Sequence, residues 1–512
     1  MRTDNSIKNS ISSVLANLIS IIVSFFARTF FIRILGAELL GLNSLLINIL
    51  SVLSIFELGL GNAIVFHLYK PIKDNNEEYI IKLMNFYKKS YHIIGLVILL
   101  LGILIMPFLR FFISDLESDV NVYFAFLLFL LCTVISYFLS YKRNLIIANQ
   151  KNYIISLIHA AYLIIMNVLQ IIIIYLTRNY YYFLIVKLMS VLMENIIITI
   201  MANKLYPYIR GNSKKTIDKT LEKDIFSRIK ALFFHKIGTV IVLSTDNIII
   251  SYFFGVITVG IYSNYYMVID AIDTLFGQII TSTTASVGNM LISNDKKVSY
   301  TIFNRMRFLN FWISCLCGIS LFLLLQPFIR IWIGDSYLLS ISIIFIIVFN
   351  FFQKMMRKIY ITFKDSAGIW REDKFIPLIE AILNIIFSIV LLKFFGLIGV
   401  FLGTTLSGMI VWFYGYPIFV YKKLFDRSYY QYFKETILYI ILFLTICFIT
   451  YAISCTIVIN NPLLKLIING FIALAIPNII LVIIYRKTDN FKYFISLIKK
   501  IIGKILRKDI KT

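Results

Sequence analysis

Gly36-Ala-Glu-Leu-Leu-Gly41-Leu-Asn-Ser44 and Gly255-Val-Ile-Thr-Val-Gly260-Ile-Tyr-Ser263 are the two stretches that decide the architecture of this chain. They set glycine, glycine and serine at the same intervals, and each opens a long apolar run. Two further pairs match in the same way. Pro107-Phe-Leu-Arg110-x2-Ile113 returns as Pro327-Phe-Ile-Arg330-x2-Ile333, and Ile158-His159-Ala160 returns as Ile379-Glu380-Ala381. From Gly36 to Gly255, from Pro107 to Pro327 and from Ile158 to Ile379, the step along the chain is almost the same. Three weak matches, in one order and at nearly one spacing, mark an internal duplication. Each copy holds six apolar segments. An even number gives both copies the same orientation, related by an axis along the membrane normal.

That the segments are membrane spans follows from composition. Of 512 residues 60% are hydrophobic and only 15% charged, with a mean hydropathy of +0.86. A soluble chain is nearer half apolar and about a quarter charged. Disorder is excluded by 45 Phe and 32 Tyr, which cannot all stay in water. A helical span takes about 20 apolar residues. The runs at 11–35, 40–68, 91–113, 122–140, 154–176, 182–205, 237–254, 257–292, 308–333, 338–353, 375–394, 397–421, 436–459 and 463–485 predict fourteen. The expected fold is an all-α polytopic membrane protein: two parallel six-helix bundles at 1–205 and 237–421, joined by an amphipathic connector at 206–236. An additional helix pair at 422–485 and a basic amphipathic tail at 486–512 follow. The first run is too long for a signal-peptide core and reads as a retained span.

The net charge of +24 does not point to nucleic acid, because the cations alternate from loop to loop. With the N-terminus inside, the inner segments hold 42 of the 50 Lys and Arg. Positive loops are cytoplasmic, so both termini are expected in the cytoplasm. Outer loops are short. The longest, at 114–121, carries Asp115, Glu117 and Asp119 and no cation. That leaves no room for an outer catalytic domain of the kind a membrane glycan polymerase or ligase needs. No nucleotide-binding, nucleophile-elbow or metal-ligand spacing occurs. The chain is therefore expected not to be an enzyme and to hold no metal or cofactor. The five cysteines, all in apolar runs, suggest no disulfide framework.

In Arg33-Ile-Leu-Gly36 with Gly41 and in Glu57-Leu-Gly59-Leu-Gly61, the sequence resembles the polysaccharide-exporter, or lipid-linked oligosaccharide flippase, family. The resemblance continues through Ser244-Thr-Asp246-Asn-Ile-Ile-Ile-Ser251 and Val259-Gly-Ile-Tyr262-Ser-Asn264-Tyr265. It closes with Glu380-x3-Asn384 and Gly396-x2-Gly399-Val-x2-Gly403-Thr404. That family belongs to the multidrug/oligosaccharidyl-lipid/polysaccharide (MOP) flippase superfamily. The resemblance implies a MOP/MATE-like fold of twelve to fourteen spans in the bacterial cytoplasmic membrane. It implies carriage of an undecaprenyl-pyrophosphate-linked oligosaccharide, a repeat unit of capsule, O-antigen or other surface polysaccharide, from inner to outer leaflet by alternating access. The implied partners are that lipid-linked glycan, membrane lipids, and a glycan polymerase or glycosyltransferases of the same pathway. The alternative on the same fold is a cation-coupled small-molecule or multidrug exporter, whose cavity would be acidic and aromatic rather than basic.

A pyrophosphate crossing hydrocarbon needs fixed cations, and Arg suits it because its planar fork makes paired, charge-assisted hydrogen bonds. Arg28, deep in the first span, Arg33, nearer its outer end and able to snorkel, and Lys187 in the sixth are the candidates. Intramembrane acids are the candidates for coupling to H+ or Na+: Glu57 beside glycines in the second span, Glu194 in the sixth, Asp246 in the seventh and Glu380 in the eleventh. Lys187 and Glu194 are seven apart, on one face but about 10 Å apart along the axis. Asp270 and Asp273 in the eighth span are further intramembrane acids, with a functional role and a helix-packing ion pair both open for them; Arg110 and Arg330 read as interfacial anchors. The four histidines lack ligand spacing.

Overall fold

The structure is a computed structural model that describes residues 2–57, 60–113, 116–210, 217–293, 295–369, 372–496 and 499. Asp115, Gly59, Lys214 and nearly all of the tail beyond residue 496 fall outside the described residues. Every regular element among the described residues is helical.

The chain begins with α1 (Arg2–Leu53), a 3-10 turn at Ser54–Glu57 and α2 (Leu60–Lys73). Then come α3 (Glu77–Ile105), α4 (Leu109–Phe112), α5 (Val122–Ala148), α6 (Asn152–Thr177) and α7 (Tyr180–Leu205). α8 (Lys219–Thr281) is the longest, followed by α9 (Thr284–Ser293), α10 (Lys296–Ile333) and α11 (Ile341–Ser366). α12 (Ile376–Phe395), α13 (Leu397–Tyr414), α14 (Tyr416–Phe419), α15 (Tyr429–Thr456) and α16 (Pro462–Tyr485) complete it. Polar residues between apolar runs start many of these helices. Asn121 accepts from the Tyr123 and Phe124 amides, Asn179 from Tyr181, Ser340 from Ile343 and Asn461 from Leu463 and Leu464. Each satisfies N–H groups that the first helical turn leaves without partners.

The repeated glycine motif has a backbone meaning. Gly36 (φ 83°, ψ 177°) and Gly255 (φ 81°, ψ 164°) leave the helical region and kink α1 and α8 at matching places. Positive φ strains any residue with a Cβ, so glycine is what the position needs. Five residues on, a methyl at Gly41 would overlap the Val256 carbonyl, and one at Gly260 would overlap the Ala37 carbonyl. The two kinked helices thus cross backbone to backbone, as small residues allow within a membrane.

Among the described residues, eleven helices are long and apolar enough to cross a membrane by length and composition. Dividing the two kinked ones at their glycines makes thirteen segments. α11, whose middle carries Lys354, Arg357 and Lys358, is a further helix of spanning length. The second span differs from expectation. Glu57 lies in a 3-10 turn, Ser54–Glu57, that follows α1, and the next described helix, α2, begins at Leu60.

By packing, the chain divides into two compact units, Met1–Ser263 with Pro377–Ile385, and Asn264–Ile376 with Ile386–Thr512. In the first, a core of Leu83, Tyr87, Leu145, Ile198 and Ala202 locks α3, α5 and α7 together. In the second, Phe311, Phe352, Phe443 and Trp412 are almost wholly buried, with the Phe352 and Phe443 rings stacked 4.0 Å apart. All five cysteines are free. At the start of the tail, Phe491 stacks on Trp312 and Arg305 lies over Tyr493.

Candidate functional site

α5 stays helical well beyond its apolar stretch, through Ser140-Tyr-Lys142-Arg143-Asn144 to Ala148. Arg143 therefore belongs to a membrane-length helix, not to the inner loop at 141–153. Its Nη2 lies 3.0 Å from Oε1 of Glu194 on α7. The same oxygen is 2.9 Å from Nδ1 of His159 on α6. Glu194 is only 6% exposed. A carboxylate so placed would be costly alone, and its two partners make it tenable. His159 stacks on Tyr162 at 5.6 Å and leaves about half of its side chain, 47%, exposed.

Arg143 also lines a cavity of about 630 Å³ whose wall includes Glu57, Gly61, Tyr69, Tyr91 and Asn144. The Tyr91 hydroxyl donates to Glu57 at 3.4 Å and accepts from the Asn144 amide at 3.3 Å. A Cβ at Gly61 would press on that hydroxyl at 3.3 Å, so the glycine keeps this wall open. Glu57 and Glu194, far apart in sequence, are thus connected through one residue: Arg143 touches Glu194 and lines the cavity with Glu57.

The other sequence candidates are distributed. Arg28 is half-buried on α1, and its Nη1 donates to the Ser263 carbonyl at 2.7 Å and to the Ser263 hydroxyl at 3.2 Å. It therefore meets the end of the second glycine motif. Arg33 is exposed. Lys187 is half-buried on α7 with its ammonium 4.4 Å over the Phe129 ring, and no described carboxylate lies within ion-pair distance. None of these three cations lines the cavity. Asp246 is buried on α8 and Glu380 half-buried on α12. Those two helices cross where a methyl at Gly238 would overlap the Pro377 carbonyl. Lys187 and Glu194 do not pair. Sequence reading missed Arg143 and gave His159 no role.

The second unit carries its own charge clusters. Asp273 on α8 is held by Lys354 at 3.1 Å and Lys358 at 2.7 Å, both from α11. Arg307 on α10 pairs with Glu435 on α15 at 2.5 Å and also donates to the Tyr421 hydroxyl. Among the described residues no group of three or more His, Cys, Asp or Glu could hold a metal ion.

The helix order and packing define a multi-pass membrane protein with the fold of the MOP-superfamily transporters. A lipid II flippase, MurJ, in an inward-closed conformation superposes with a TM-score of 0.68 at 18% identity, over 93% of this chain and 99% of its own. An inward-facing multidrug-resistance MATE-family transporter of the MOP superfamily gives 0.58 at 12%, over 80% and 96%. A MOP-superfamily transporter from Pyrococcus furiosus gives 0.53 at 12%, over 80% and 94%. Residues 6–285, more than half of the sequence, match the polysaccharide biosynthesis protein family, and the chain belongs to it. No curated protein matches the sequence.

Proposed function

We propose that the chain is a flippase for a polyprenyl-pyrophosphate-linked oligosaccharide, moving it from the inner to the outer leaflet of the bacterial cytoplasmic membrane by alternating access. The observation that carries this reading is the family match over residues 6–285 in a chain folded like the MOP-superfamily transporters. The charge pattern supports it. Lys187 sits on a membrane-length helix with an aromatic ring and no described carboxylate beneath its charge, an arrangement that suits a cation kept for an incoming anion. Arg28 and Arg33 are the further pyrophosphate candidates. Glu57, Glu194, Asp246 and Glu380 are the acids through which H+ or Na+ would couple. The proposed topology puts both termini in the cytoplasm, with bundles at 1–205 and 237–421 and a helix pair at 422–485. A polymerase or glycosyltransferase of the same pathway would supply or consume the cargo.

The test is reconstitution of the full chain in proteoliposomes with a fluorescent undecaprenyl-pyrophosphate-linked disaccharide, scored by access of a membrane-impermeant quencher. The wild type is expected to flip it. Arg28→Ala should abolish flipping at normal protein abundance, and Arg28→Lys should keep part of it. A wild type that moves organic cations and leaves the lipid-linked disaccharide in place would turn the reading to the small-molecule exporter.

A further inference from the structure

Two bases compete for one carboxylate oxygen beside the cavity. Arg143 and His159 both meet Oε1 of Glu194, and a second carboxylate, Glu57, stands on the cavity wall that Arg143 helps to form. The other described groups around the cluster are mostly phenols: Tyr91 from α3, Tyr69 from α2 and Tyr162 from α6. Lys142, next to Arg143 and near Lys88 of α3, donates instead to the Asn203 amide oxygen at 2.7 Å. α1, which packs along α6, gives His159 no ion-pair partner among the described residues. A guanidinium and an imidazolium held on one oxygen in a medium of low dielectric repel each other strongly. Protonation of His159 therefore changes what Arg143 gains by staying.

We propose that Arg143 is a shared cation, resting on Glu194 while His159 is neutral and passing to Glu57 when His159 takes a proton, so that the cluster is a proton-binding site that reports to the cavity. The geometry supplies each part. A neutral imidazole is the weaker competitor for Glu194 and an imidazolium the stronger one, because only the imidazolium adds the attraction of a full opposite charge. The His159 side chain is about half exposed, and Nδ1 holds Glu194, which leaves Nε2 as the ring nitrogen that would take a proton. Arg143 already forms part of the cavity wall with Glu57, so leaving Glu194 delivers its charge there. Nothing covalent changes in the chain's framework: one proton is added at Nε2 and one ion pair is exchanged for another. As a coupling device this rests on the transport reading above; the exchange itself does not.

The experiment is a mutant cycle on the full chain in nanodiscs, read as Tm. Glu57→Gln and Arg143→Gln are made singly and together, in the wild-type and the Glu194→Gln backgrounds, at about pH 8 and about pH 5, which bracket the ordinary histidine range. In the wild type at the higher pH the two effects should add. With Glu194→Gln they should fail to add by a few degrees, because Arg143 has then moved to Glu57. The wild type should show the same non-additivity at the lower pH, and His159→Asn should remove it. Additive effects in every background, or equal non-additivity in all of them, overturn the exchange. Non-additivity that appears with Glu194→Gln but ignores pH overturns the proton's part. Failure of the wild type to flip the lipid-linked disaccharide would sink the proposed cargo and leave the outcome of the mutant cycle intact.

Discussion

Arg143 and Arg307 lie on membrane-length helices and each meets a glutamate, yet the two clusters are built on opposite plans. Arg307 is 4% exposed and capped by the Phe303 and Tyr439 rings at 5.6 and 5.5 Å. Its partner Glu435 also accepts from Tyr421 at 2.9 Å and Gln431 at 3.1 Å. One acid meets one base, and polar neighbours occupy the rest of the carboxylate. Arg143 shares its acid with a histidine and keeps a cavity, with a second acid on the wall, on its other side. The comparison teaches that an intramembrane arginine cannot be assigned a role by depth or partner alone. A contested partner and adjoining space separate a moving part from a fastener.

The comparison breaks most visibly at Arg307. Arg307→Met strands Glu435 and should lower stability by about 3–5 kcal/mol, seen as a large fall in Tm or loss of folded protein from the membrane. Arg143→Gln, removing a partly exposed side chain, should cost clearly less in Tm while abolishing transport. Equal losses would erase the distinction between the two clusters. A finer cut is Tyr421→Phe, which removes one hydroxyl shared by Arg307 and Glu435. It should cost about 1–2 kcal/mol and leave transport at the wild-type rate per folded molecule.

The smallest effect belongs to an exposed ion pair. Lys423 holds the exposed Glu372 carboxyl below the usual carboxylate range through a direct hydrogen bond. A depressed acid contributes stability above its unfolded-state pKa and loses it as pH falls through the folded value. The contribution should therefore vanish on acidification below about pH 4. At neutral pH, Glu372→Gln should leave Tm unchanged within error, because solvent screens such pairs. A measurable drop would show that this loop is tied more tightly than its exposure implies.

The architecture was legible in the sequence where the signal was periodic. Gly36 and Gly255 stand out as a repeat, and their φ angles of 83° and 81° nearly coincide. The matched prolines, by contrast, differ in local structure. Before Arg110, Pro107 falls in a 3-10 turn that ends α3, whereas before Arg330, Pro327 lies inside continuous α10. The ring removes an N–H in both places, and the surroundings that decide whether a helix survives that loss are not written next to the proline. Arg143 was missed for a related reason. Placing the end of the run at residue 140 put Lys142 and Arg143 in a loop, although Leu145-Ile-Ile-Ala148 resumes the apolar pattern and keeps α5 helical. Glu194 was singled out by its position among apolar residues, but its partners come from α5 and α6, and no local spacing names them.

The crossing of the two kinked helices at Gly41 and Gly260 has a historical consequence. Duplicated segments are usually free to diverge, since each copy answers to its own neighbours. Here each copy's glycine is the space into which the other copy's backbone fits, at Ala37 and Gly41 on one side and Val256 and Gly260 on the other. A methyl gained by either must be answered by a retreat in its twin. Among descendants of the same duplication these four positions should drift as linked pairs, long after the rest of the two copies have ceased to resemble each other.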